Sequence, residues 1–117
     1  MKFLDSKVHG YIDYASAVLF LIMPSVFKMQ TETVQSMVFY IFAVFTLFLA
    51  LQTDYEPGLY KIFPFAAHLV VDFLSGLFLL VSPWIFNFSG TVFLPHLMAG
   101  ILVMTTSLIT VSEPQTI

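Results

Sequence analysis

The sequence predicts an all-α protein, a four-helix transmembrane bundle made of two parallel repeats of a helical hairpin. Three observations carry this expectation. Only 11 of the 117 residues are charged (4 Lys, 7 Asp or Glu), while 59% are hydrophobic and 14 are Phe. The few charges leave long uncharged stretches between them. The first half of the chain also matches the second at a fixed spacing of 59 residues.

The composition excludes several classes. An ordinary soluble domain has roughly 25% charged residues, and a small domain has a large surface to cover for its volume. Nine per cent charge and a mean hydropathy of +0.95 do not cover it. A net charge of -3 with no basic patch excludes nucleic acid as a partner. Cysteine is absent, so there is no disulfide framework, thiolate metal site or cysteine nucleophile. Lys2 and Lys7 precede an apolar run as in a signal peptide, but Asp13 interrupts that run and no small-x-small site follows. The segment is therefore expected to stay as the first span.

Crossing ~30 Å of hydrocarbon takes about 20 helical residues. Residues 33–53 contain no charge, nor do residues 73–112, which are long enough for two spans broken near Asn87, Gly90 and Pro95. The predicted spans are residues 6–27, 34–53, 65–86 and 93–111. They are helices because lipid cannot satisfy backbone polar groups. A β-barrel would alternate polar and apolar residues, whereas residues 77–81 and 101–104 are apolar on every side. Pro64 precedes the third span and Pro95 opens the fourth, where a missing N–H costs nothing. Pro24 and Pro83 should kink or stop the first and third. Trp84, and Tyr55 with Tyr60 in the middle loop, stand where interfacial anchors do.

The single membrane domain covers residues 1–117, with repeat one at 6–54, a linker at 55–64 and repeat two at 65–113. Lys2, Lys7 and Lys61 fall on the side of both termini, and only Lys28 on the other. The excess places both termini in the cytoplasm and the protein in the inner membrane, with the lipid bilayer as its partner. Four short spans enclose little interior, so a symmetric homo-oligomer is a further expectation.

His9, Asp13, Ser16, Leu21, Pro24 and Phe27 fall on His68, Asp72, Ser75, Leu80, Pro83 and Phe86, each 59 residues later. The same spacing pairs Val44, Thr46 and Leu49 with Val103, Thr105 and Leu108, and Asp54 with Glu113. Two spans per unit give both copies one orientation.

The stretch Phe-Leu-Leu-Val-Ser-Pro-Trp-Ile-Phe at residues 78–86 resembles the signature of the SPW-repeat integral membrane proteins. Thr-Asp-Tyr-Glu-Pro-Gly at residues 53–58 resembles that family's linker between repeats, and the likeness extends over residues 7–110. In the first copy the motif reads Met23-Pro24-Ser25, without the serine or tryptophan. The resemblance implies a small multispan bacterial membrane protein and brings no activity with it.

Asp13 and Asp72 are the informative residues, because an ionisable group inside a span costs at least ~2.5 kcal/mol. Each has a histidine four residues earlier and a serine three residues later, so His9, Asp13 and Ser16, and His68, Asp72 and Ser75, each share one helical face. The preferred reading is structural: a membrane component in which His9 pairs with Asp72 and His68 with Asp13, locking the hairpins. The alternative is a small transporter or a ligand- or ion-binding protein that uses the cluster in a polar cavity. No cofactor is predicted. His9, Asp13, His68 and Asp72 offer N and O donors that a divalent metal would accept, without a specific ligand signature. Bis-histidine haem ligation by His9 and His68 is opposed by the two carboxylates. With no nucleophile–base pair in the sequence, an enzyme is the least supported reading. His96 is expected at the far interface. Ser75-Gly76 and Ala99-Gly100 are small pairs suited to close helix contact.

Overall fold

The structure, a computed structural model, describes residues 4–111. Lys2 and Glu113, which bear on topology and on the repeat, lie outside the described residues. Four helices form: α1 (Ser6–Val26), α2 (Val34–Gln52), α3 (Phe65–Ile85) and α4 (Leu94–Leu108). They are the four expected segments, and no strand forms among the described residues. Asp5 caps α1, its Oδ1 accepting from the Val8 amide at 2.8 Å, which satisfies one of the donors a helix start leaves open. Pro64 stands before α3 and Pro95 in the first turn of α4.

The first and third helices end alike. Pro24 and Pro83 lie inside the last turn. Lys28 and Asn87 then take φ of 56° and 61°, and the next amides, Met29 and Phe88, bond back to the Pro24 and Pro83 carbonyls at 2.8 Å. This left-handed closure consumes carbonyls that the helix would otherwise leave unpaired. A proline also frees the carbonyl four residues before it. For Pro83 that carbonyl belongs to Leu79, and the buried Ser82 hydroxyl donates to it at 2.8 Å. The Ser-Pro pair thus repairs its own defect. At Pro24 the preceding residue is Met23, which has no hydrogen to give.

α4 stops at Leu108, short of the predicted residue 111. From there the backbone turns to meet the start of the chain, with Leu4 N donating to Ile109 O at 3.0 Å and Val111 N to Leu4 O at 2.8 Å. The middle loop holds the same arrangement. Phe63 N donates to Gln52 O, and Asp54 N to Phe63 O, both at 2.8 Å. Two isolated parallel bridges result, Leu4 with Thr110 and Phe63 with Thr53.

α1 packs along α2, and α3 along α4. α3 and α4 touch through backbone: a Cβ on Gly100 would stand 2.6 Å from Gly76 O, and one on Gly76 3.0 Å from Gly100 O. The small pairs therefore serve close approach, as expected. Between the helices of the two hairpins the contact is made by side chains, and backbone joins the hairpins at the isolated bridges. Phe20, Phe39, Ala43, Leu79, Phe88 and Ala99 form one buried cluster. Tyr55, Phe65, Leu69 and Ala50 form another under the middle loop.

Burial along α1 recurs along α3 at the spacing of 59: Ser6, His9, Gly10, Ala17, Phe20 and Pro24 are buried, as are Phe65, His68, Leu69, Gly76, Leu79 and Pro83. Along the second helices the spacing is 57. Val38, Phe39, Ala43 and Ala50 correspond in burial to Pro95, His96, Gly100 and Ser107. Matching Val44 to Val103 and Leu49 to Leu108 is thus two residues out of register with the packing. Those identities pair an exposed or half-buried residue with one of a different class.

Ser82→Ala should lower the thermal midpoint in detergent, by the ~1–3 kcal/mol of an unsatisfied buried acceptor. Ser82→Thr, which keeps a hydroxyl, should lose less. Equal losses in the two variants would refute the repair.

Candidate functional site

Offsets of four residues set His9 above Asp13 on α1, and His68 above Asp72 on α3. The two faces meet. His9 Nε2 lies 2.8 Å from Asp72 Oδ2 and 3.3 Å from Asp13 Oδ1. His68 Nε2 lies 3.0 Å from Asp13 Oδ2 and 3.1 Å from Asp72 Oδ2. His9 therefore pairs across the hairpins, as anticipated. His68 is shared almost evenly, and its Nε2 is aligned for a hydrogen bond to neither carboxylate. Both histidines are buried, as is Asp13, and Asp72 is nearly so. The rings stand edge to face with centroids 5.4 Å apart, and both Nε2 atoms address the same two carboxylates. A haem would need them to face each other across an apolar slot.

The opposite edge of each ring meets a threonine that the sequence did not single out. His68 Nδ1 is 2.7 Å from Thr53 Oγ1, and His9 Nδ1 is 2.8 Å from Thr110 Oγ1. Each hydroxyl already donates to the carbonyl one turn earlier: Thr53 to Leu49 O at 2.6 Å, and Thr110 to Thr106 O. A hydroxyl has one hydrogen. Each threonine must therefore accept from the imidazole, and the network assigns the hydrogen to Nδ1 on both rings. Both threonines are held in place by the isolated bridges, which tie the end of α4 to the start of α1 and the end of α2 to the entry of α3, and each histidine touches the aspartate and the threonine of the other hairpin.

The middle loop covers this box. Tyr55, expected as an interfacial anchor, is instead 1% exposed, and its hydroxyl donates to Asp13 Oδ2 at 2.8 Å. Burial first, and then the Asp13 charge, hold its phenol well above the ordinary value, so it stays a donor. Ser6 Oγ donates to Glu56 Oε1 at 2.6 Å, Tyr14 to Pro57 O at 2.9 Å, and Lys61 Nζ to the Tyr55 and Glu56 carbonyls. Residues 53–58 are therefore a capped turn over buried charge. Tyr60 remains exposed.

Ser16 and Ser75 stand one turn deeper. Neither hydroxyl joins the box; they border the small spaces beside it. The larger is about 20 Å³, lined by Asp13, Ser16, Phe20, Thr46, Asp72 and Thr106 among others. Such a volume holds about one water. His96 is at the other end of α4, away from the box as expected, and is buried. It packs between Phe39 and Phe88, with Nε2 3.0 Å from Gln35 O. Trp84 is half exposed at the end of α3, its ring against Phe93.

A model of the SPW repeat domain matches residues 7–110. The chain belongs to the SPW repeat family. In this family member the serine and proline of the motif close α3, and the box lies at the other end of that helix. No curated protein and no solved structure matched the chain.

Proposed function

We propose that the chain is a multi-pass membrane protein, a structural or accessory component whose two hairpins are copies joined at their buried ends by the His–Asp box. Two helices, Val34–Gln52 and Phe65–Ile85, are long and apolar enough to cross a membrane. The outward surface supports the same reading, since Val18, Leu21, Ile41, Val44, Leu74 and Met98 are all exposed, as lipid-facing side chains would be. Lys7 and Lys61 stand at the end holding both termini and the middle loop, and Lys28 at the other. That distribution favours cytoplasmic termini, with Trp84 at the opposite interface. A reporter active only in the cytoplasm, fused after Ile117, should be active; silence at normal expression would reverse the orientation.

The observation that carries the structural reading is the crossing of the box. Each imidazole meets the other hairpin's threonine, and His9 meets the other hairpin's aspartate. A transporter would need a water-filled path beside the carboxylates, and about one water fits there. Removing one side of a buried ion pair costs about 3–5 kcal/mol. Asp13→Asn with Asp72→Asn should therefore lower the thermal midpoint sharply. Wild-type protein in liposomes should give no proton or ion flux that the substitutions abolish. A double variant as stable as the wild type, with such a flux lost, would establish the transporter instead.

A further inference from the structure

We propose that the box is also a binding site for one divalent transition-metal ion of borderline softness, zinc foremost, held by His9 Nε2, His68 Nε2 and one oxygen each of Asp13 and Asp72. The donor atoms of these four residues lie within 4.8 Å of one another. Nitrogen and oxygen donors at ~2.0–2.2 Å in a tetrahedron stand about 3.3–3.6 Å apart. The four N···O separations in the box are 2.8, 3.3, 3.0 and 3.1 Å. The N···O edges need open by only a few tenths of an ångström and the widest donor separation, 4.8 Å, close by about one ångström to turn the hydrogen-bonded box into a coordination shell.

Two further features point to a cation. The first is His68 Nε2, 1% exposed and aligned with neither carboxylate it faces. A nitrogen aimed between two carboxylate oxygens is badly placed for one hydrogen bond and well placed for an ion lying between them. The second is the outer ring of contacts. Metal-binding imidazoles characteristically donate their other N–H to a fixed acceptor, which sets the tautomer. Thr53 and Thr110 do this here, and each is itself committed to a backbone carbonyl. With Nδ1 committed to a threonine on both rings, Nε2 is the nitrogen that faces inward, and its lone pair becomes available to an ion when its proton leaves. Tyr55 holds Asp13 from outside in the same way.

Charge balance fixes the exchange. Without metal, each of the two Nε2 atoms needs a hydrogen to face the carboxylates, so the box holds two protons against two negative charges. A divalent ion replaces both: one ion enters, two protons leave, and the net charge of the site stays zero. This matters in a setting where uncompensated charge is costly. The inference uses the same four residues as the proposed lock but does not depend on it, because the lock is tested by stability without metal.

The test is titration of the full-length chain in detergent with Co²⁺, whose visible bands report tetrahedral coordination. One ion per chain, intense bands, release of about two protons per ion and a raised thermal midpoint are expected. Asp13→Asn with Asp72→Asn should abolish the bands. Should that variant not fold, Thr53→Val with Thr110→Val decides: the donors remain but their orientation is released, and affinity should fall about 10–100-fold. A folded wild type that gives no bands at millimolar Co²⁺ would overturn the proposal. So would bands that survive loss of both aspartates, affinity indifferent to loss of both threonines, or binding without proton release.

Discussion

Two carboxylates in the interior of an apolar bundle must be neutralised where they stand, because isolated ions are not tolerated in such surroundings. His9 and His68 supply the partners, and the rest of the molecule is arranged to keep them there. The threonines at 53 and 110 orient the rings, the two isolated bridges hold the threonines, and Tyr55 seals Asp13 from above. The loop that carries Tyr55 is tied down in turn by Ser6, Tyr14 and Lys61. This polar junction, the backbone bridges beside it and the Phe20–Phe39–Leu79 cluster together define the relative placement of the hairpins.

Most of this was legible where chemistry is local. The uncharged runs located all four helices to within a residue or so at most ends, because a helix in apolar surroundings must be long and continuous. Asp13 and Asp72 stood out for the same reason, and the offset of four placed a histidine beside each. The crossing of His9 to Asp72 followed from the 59-residue spacing of the first helices. The end of α4 was not legible, since it is set by pairing with Leu4 across the whole chain.

The threonines were missed for a definite physical reason. Their partners come from the other hairpin, so no spacing within one helix marks them. Their mutual spacing is 57, and the identities at 59 in the second helices concealed it. Leu49 with Thr53 and Thr106 with Thr110 share a plain pattern, a threonine bonding back one turn, which is common in apolar helices and carries no signal alone. A tyrosine at position 55 suggests an interfacial anchor because tyrosine so often is one; its ring is instead enclosed by Phe65 and His68, with the carboxylate as its polar partner.

The central claim is that α1 and α3 are energetically coupled through the box. A double-mutant cycle on His9→Asn and Asp72→Asn, read as unfolding stability in one detergent, tests it most directly. The 2.8 Å contact between these residues predicts a coupling of about 1–3 kcal/mol, in the range found for directly bonded partners. Effects that add to within ~0.5 kcal/mol, as they do for distant independent sites, would contradict the account.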